Sequence, residues 1–443
     1  MSARGWIGSG LLLLLLIGGC GSGSTPSPAG TASSPVESAP AGTTAPPSSP
    51  SSVPSPSASS DSGAGEGGAS ESGDDLARLV RSMTLEEKIG QLLLAGVEGT
   101  TADAAARRMI AEDRVGGIIL FKNNLSSGVR SSVELLNGLK AANAGNPAPL
   151  FLSVDQEGGR VNRLPKDFVP MPANAAVGKT GQAPLAKEMG ALIARQLKLL
   201  GFNTDFAPVL DINSNPKNPV IGDRSFGSRA DLVTDMGLAE TAGIRGGGII
   251  PVVKHFPGHG DTAVDSHLDL PIVRKTEAEL QALELIPFEA AVQSGADAVM
   301  VAHILFPELD PDVPASLSGN IIGGLLRGKL GFDGVVITDD LSMGAIAKHY
   351  GLEDAAIRAV LAGADVLLMA HGYGTEHRIR EALLGAVGDG RIPESRIDES
   401  VTRILKLKRT YGLTDDAVPV PSASDLPNAD IRRWLAEVKA AGR

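Results

Sequence analysis

From about residue 75 the chain alternates between short apolar runs and longer stretches whose apolar positions recur at three- and four-residue spacing. The short runs span 92–95, 117–121, 150–154, 204–209, 249–253, 298–302, 335–338 and 366–369, eight in all. Helical period is clearest over 183–200, 231–245, 277–294 and 352–361. Strands alternating with helices imply parallel pairing, because parallel neighbours need a crossover of this length. Eight such units in about 340 residues predict a closed (β/α)8 barrel of the TIM type. An open doubly wound sheet suits six strands better and wants a glycine-rich phosphate turn after its first strand, which 92–99 lacks. The catalytic domain is expected over 76–415. Good helical pattern ends near Tyr411 and Gly412, and 416–443, with Pro419, Pro421 and Pro427, is expected to form an appended C-terminal tail.

Polar residues fall at the carboxyl ends of these runs. Asp155 closes the third, Asp211 follows the fourth, and Lys254 and His255 close the fifth. His303 closes the sixth, Asp339 and Asp340 the seventh, and His371 follows the eighth. In a barrel those ends share one face, the face on which active sites are built. Residues as distant in sequence as Asp155 and His371 are thereby predicted to meet in one pocket.

The start of the chain changes the picture. Arg4 precedes an apolar run over 11–17, followed by Gly18, Gly19 and Cys20. A basic start and an apolar segment too short to span a bilayer comfortably predict a signal peptide over 1–19. Ile-Gly-Gly-Cys resembles a bacterial lipobox, which would make Cys20 the acylated first residue of the mature protein. Cys20 is the only cysteine, which excludes an intramolecular disulfide. Residues 20–75 are Ser, Pro, Gly, Ala and Thr with few large apolar side chains, the composition of a disordered linker. A net charge of −11 without a basic cluster argues against nucleic acid and against electrostatic membrane docking. The expectation is an exported protein held at the cell membrane by its lipid alone, on the extracytoplasmic side.

Residues 254–267 concentrate three of the seven histidines with a lysine and two aspartates. His255 and His259 would share one side of a helix, but Pro257 and Gly258 break one, so a zinc site is not expected and no cofactor is implied. Asp265 stands two residues before His267, where its carboxylate can bond one ring nitrogen and raise the basicity of the other, as a proton shuttle requires. A histidine held in a satisfied loop network is the bland alternative. Asp339 and Asp340 are strand neighbours, so one should enter the pocket while the other meets backbone or caps a helix. In Asp-Gln-Glu-Gly-Gly-Arg-Val-Asn-Arg, residues 155–163, two glycines permit a tight turn that lets Asp155 and an arginine reach one polar ligand. Arg224 lies in a second such loop, and surface ion pairing is the alternative for each.

Together, 155–163, 221–225, 254–271 and 331–343 (Gly-Phe-Asp-Gly-Val-Val-Ile-Thr-Asp-Asp-Leu-Ser-Met) resemble the signature blocks of glycoside hydrolase family 3 in its β-N-acetylglucosaminidase branch. The resemblance runs from about 92 to 411. It implies a single-domain barrel enzyme that releases N-acetylglucosamine from non-reducing ends with retention. Carried over by motif, Asp339 matches the nucleophile and His267 the general acid/base oriented by Asp265. Asp155, Arg163, Arg224, Lys254 and His255 match the residues that hold the terminal sugar. Strand parity would send Lys254 and His255 to opposite sides, so the resemblance requires an irregular strand end. His259 is left with a structural role inside the loop. Trp6 and Trp434 lie outside the barrel segment, so exo-action on one residue is expected rather than stacking along a polymer. The implied substrates are peptidoglycan fragments or other N-acetylglucosaminides, and the expected state is a monomer. Two alternatives stay open: a phosphorylase, since an imidazole does not repel an incoming phosphate, and a sugar-binding lipoprotein without activity.

Overall fold

The computed structural model describes residues 67–443, with side chains from residue 74. The expected signal peptide, Cys20 and most of the expected linker lie outside the described residues. Eight parallel strands close in sequence order: β1 (Leu93–Gly96), β2 (Gly117–Leu120), β3 (Phe151–Val154), β4 (Thr204–Asp205), β5 (Ile250–Phe256), β6 (Ala298–Val301), β7 (Val335–Asp340) and β8 (Val366–Met369). β8 returns to β1 with Leu93 opposite Leu367, which completes the predicted barrel. Nearly every strand residue is buried, which is why the strands read as unbroken apolar runs.

Four local features differ from expectation. β4 is two residues long, because Pro208 cannot donate to the ladder beyond Asp205. The stretch 277–294 forms two helices, Glu277–Ala282 and Ile286–Gln293, since Pro287 cannot sustain a continuous helix and serves instead in the first turn of the second. The helix Gly67–Ser82 reaches back into the segment expected to be linker, and it lies against the helix Glu394–Thr410. Residues 416–443 are not a loose appendage. They carry the helix Asn428–Ala441, which docks on the helix Ala183–Leu200 and buries Ile431, Trp434 and Val438 at three- and four-residue spacing. The Trp434 indole N–H donates to the Leu185 carbonyl at 3.1 Å.

Two strands lose regular register at their carboxyl ends. β5 slips against β6 between Val253 and Phe256, and β7 slips against β8 between Ile337 and Asp340. These are the strands that end in Lys254 and His255 and in Asp339 and Asp340, so the irregularities sit where polar side chains must be aimed.

Candidate active site

The carboxyl ends of the strands surround a cavity of about 180 Å³. Asp155, Arg163, Arg224, Lys254, His255, His267 and Asp339 all line it, and Asp265 stands behind His267. Because β5 slips register, Lys254 and His255 reach the same cavity despite being neighbours, which strand parity alone forbids.

The floor is a clamp of charges. Lys254 Nζ donates to Asp155 Oδ1 at 2.5 Å and to Glu157 Oε1 at 2.6 Å. Arg224 forks onto Glu157, with Nε and Nη2 each 2.8 Å from a carboxylate oxygen. Glu157 and Lys254 are each 1% exposed. Burial alone would raise the Glu157 carboxyl, but Arg224 and Lys254 hold it well below the usual carboxylate range. Burial pushes the Lys254 amine down, and Asp155 and Glu157 more than restore it. The lysine therefore stays charged while fully enclosed.

His255 Nδ1 lies 2.6 Å from Asp211 Oδ2, and its Nε2 lies 3.3 Å from Arg224 Nη2. Arginine only donates, so Nε2 accepts and Nδ1–H donates to Asp211. The other Asp211 oxygen accepts from the backbone amides of His255 and His259, at 3.2 and 2.7 Å. Burial raises the Asp211 carboxyl, and the imidazole and amides outweigh it. Arg163 differs from Arg224: its Nε is buried without a hydrogen-bond partner among the described residues, and its guanidinium lies 5.9 Å from the centre of the Phe121 ring. Phe121 in turn stacks on His371 at 5.1 Å. An unpaired guanidinium facing a cavity suits a ligand oxygen.

The loop after β5 separates its histidines. His259 is buried, with Thr262 Oγ 2.9 Å from Nδ1 and Ser266 Oγ 3.1 Å from Nε2, so both ring nitrogens are occupied. Burial and the neighbouring His255 lower its pKa to about 4, leaving a neutral ring that ties the loop together. Gly260 is required here, since a Cβ would stand 1.6 Å from the Ile212 carbonyl oxygen. His267 sits at the mouth, its side chain 63% exposed, with Nδ1 2.8 Å from Asp265 Oδ1. Its Nε2 has no hydrogen-bond partner among the described residues.

Asp339 Oδ1 accepts from the Asp340 amide at 2.8 Å. Burial pushes its carboxyl up, while the imidazoles of His303 and His255 and that amide bring it down to about 2. Asp340 meets backbone: its Oδ1 accepts from the amides of Ser342 and Ala370, at 2.9 and 3.0 Å. His303 secures the strand end, accepting from Ser316 Oγ at 2.6 Å and donating from Nε2 to the Asp340 carbonyl at 2.9 Å. From sequence, Asp211 and His303 fall at the pocket end of the barrel without either having a function, and Glu157 is not singled out at all. Glu157 stands two residues after Asp155 in the turn beyond β3, and because its partners Lys254 and Arg224 come from other parts of the chain no local signal marks its role. Among the described residues no group of three or more His, Cys, Asp or Glu is arranged to hold a metal ion.

The cavity thus offers acceptors and donors for hydroxyl groups, the Asp339 carboxylate, which stays ionised without a bonded cation, and one oriented imidazole at its mouth. That combination suits cleavage of a glycosidic bond through a carboxylate and a proton donor.

Residues 84–407 match the model of the glycosyl hydrolase family 3 N-terminal domain. Beta-hexosaminidase A of Pseudoalteromonas piscicida is 33% identical over 366 residues, covering 77% of this chain and 61% of that protein, so the chain spans less than two thirds of this relative's length. The beta-hexosaminidase of Stenotrophomonas maltophilia is 34% identical over 336 residues, covering 71% of this chain and 98% of its own. Among solved structures, a family 3 beta-N-acetylglucosaminidase from a Paenibacillus species superposes with a TM-score of 0.78 at 46% identity, covering 82% of this chain and 69% of that one.

Proposed function

The chain belongs to glycosyl hydrolase family 3 and is a glycoside hydrolase, and from that premise we propose that it is a retaining exo-β-N-acetylglucosaminidase acting through Asp339 and His267. The observation that carries this reading is the meeting, in one cavity, of a carboxylate held at about 2 and an imidazole whose Nδ1 is fixed on Asp265. In the first step an Asp339 oxygen attacks the anomeric carbon as the bond to the leaving oxygen breaks, and the His267 Nε2–H protonates that oxygen. In the second, neutral His267 takes a proton from water, whose oxygen attacks the anomeric carbon and releases the Asp339 carboxylate. Asp265 keeps the proton on Nδ1 in the neutral ring and stabilises the imidazolium.

Asp155, Lys254, His255, Arg224 and Arg163 hold the hydroxyls of a single terminal sugar. The cavity's small volume supports exo-action. Peptidoglycan-derived fragments are the proposed substrates, reached from an extracytoplasmic position on a lipid anchor at Cys20; the apolar run over 11–17 and the Ile-Gly-Gly-Cys motif support that placement. The test is mass analysis of products from a disaccharide peptidoglycan fragment, with and without phosphate. Free N-acetylglucosamine in both cases is expected. A sugar 1-phosphate would mark a phosphorylase, and binding without product a non-catalytic protein. Asp339→Ala should abolish turnover. Fatty-acid labelling lost in Cys20→Ala is the expected result for the anchor.

A further inference from the structure

The loop that carries Asp265 and His267 buries little apolar surface of its own. Val264, Leu268 and Ile272 are 41%, 66% and 52% exposed, and they are three of the five exposed large hydrophobic side chains among the described residues. A segment with so few apolar contacts opens locally at little cost, so its position depends on polar contacts. Its inner end is tied by His259 to Ser266, at 3.1 Å. Its exit is paired with Leu305, through the Pro271 carbonyl and the Val273 amide, and residues 266–269 between these ties are gripped by the turn and short helix Gly344–Ala347 that follow β7, together with the two residues after it.

That grip is residue by residue. The Ala345 amide donates to the Ser266 carbonyl at 3.1 Å and the Gly344 amide to the His267 carbonyl at 3.3 Å. Lys348 Nζ donates to the Leu268 carbonyl at 2.5 Å, and His349 Nε2 lies 2.6 Å from Asp269 Oδ1. Four consecutive loop residues are therefore held by 344, 345, 348 and 349. The approach is close: a Cβ at Gly344 would lie 2.7 and 2.8 Å from the carbonyl oxygens of His267 and Leu268. The gripping segment begins four residues after Asp340, so one rigid connection joins the strand of Asp339 to the loop of His267.

We propose that Lys348 and His349, acting on Leu268 and Asp269, form a clasp that positions His267 for proton transfer to the leaving group. They are positioning residues, and the inference rests on His267 being the general acid. Their contacts are exposed, and exposed ion pairs add little to global stability. Misplacing a reacting group by about 1 Å, by contrast, lowers a rate roughly 100-fold. The clasp thus governs chemistry far more than folding.

The experiment compares kcat/KM on two substrates, 2,4-dinitrophenyl N-acetylglucosaminide, whose leaving group departs without protonation, and the disaccharide of N-acetylglucosamine, whose leaving group needs it. In the double variant Lys348→Ala/His349→Ala, kcat/KM for the disaccharide should fall about 10- to 100-fold while that for the dinitrophenyl substrate stays within about twofold. Asp269→Asn should share this pattern, and His349→Gln, which keeps a donor, should recover most of the disaccharide rate. His267→Ala serves as reference and should discriminate between the substrates more strongly. If His267→Ala discriminates and the clasp variants do not, or if they lose both activities equally, the clasp is refuted. If His267→Ala itself does not discriminate, its assignment as general acid fails, and the clasp with it.

Discussion

Replacing Glu157 with glutamine removes one negative charge from the floor of the cavity and almost nothing else. The wild-type carboxylate accepts three charge-assisted hydrogen bonds, one from Lys254 and two from Arg224, at 2.6 to 2.8 Å, with Glu157 and Lys254 almost completely enclosed. A glutamine has one acceptor oxygen and must turn an NH2 toward a cation, so at least one of these bonds becomes a contact between donors. Asp155 is then the only carboxylate left bonded to Lys254. Breaking a buried pair by removing one partner costs about 3–5 kcal/mol, so a loss of about 3 kcal/mol is expected in urea unfolding at pH 7. The carboxyl is held below its ordinary 4.5, so its contribution is complete above that value and is lost only as pH falls through the depressed native value. The difference between wild type and variant should therefore be flat from pH 6 to 8. Kinetically, Lys254 and Arg224 lose their fixed positions while Asp339 and His267 do not, so KM for an aryl N-acetylglucosaminide should rise about tenfold or more and kcat change less. An unchanged unfolding midpoint together with an unchanged KM would refute the clamp.

The remaining predictions follow from burial and charge. His259 titrates at about 4 in the native state against 6.5 unfolded; between those values the unfolded chain binds the extra proton, so stability should fall by about 3 kcal/mol as pH is lowered through that window. Urea midpoints at pH 7, 5.5 and 4.5 test this, and a flat or opposite slope contradicts it. Trp434→Ala should cost about 3–5 kcal/mol by emptying a fully buried site on the helix Asn428–Ala441, without changing KM; a negligible shift in melting temperature would show that this helix is dispensable. Asp339, held at about 2, should stay ionised throughout mildly acidic solution, so the acid limb of kcat/KM should survive unchanged in shape when Glu157 or Asp211 is varied and should not report the nucleophile above about pH 3. A limb that moves with Asp339's surroundings at pH 5 would contradict it.

The barrel was legible because strands covered on both faces need apolar residues at every position, and the first polar residue after each run marks where the strand leaves the core. The same logic brought Asp155, Lys254, His255 and Asp339 to one end. It failed where a single residue overrode the period: Pro287 divided a helix, Pro208 shortened β4, and the proline-bearing segment before Asn428 obscured the periodic Ile431, Trp434 and Val438. Strand parity foretold that Asp340 meets backbone amides, but it kept neither Asp339 from Asp340 nor Lys254 from His255 along the cavity wall, because both strands slip register there and a slip has no signature in composition. Asp211 was placed at the right end without a function and Glu157 was missed, because their partners are other members of the site, and a carboxylate that serves an arginine or histidine in a different loop leaves no local pattern of its role. The contacts of Lys348 and His349 with Leu268 and Asp269 span about 80 residues and were invisible for the same reason.

Glu157 and Lys254 stand almost wholly within the barrel wall, whereas His267 is mostly in solvent on a loop with few apolar roots. Such a division lets the two halves diversify at different speeds. The wall tolerates little change, because any substitution there strands a buried charge, so the preference for the terminal sugar should be inherited conservatively. The β5 loop can change only at the side chains it leaves in solvent: substitutions at Val264 and Ile272 should alter leaving-group preference while the enclosed charges of the cavity floor stay as they are.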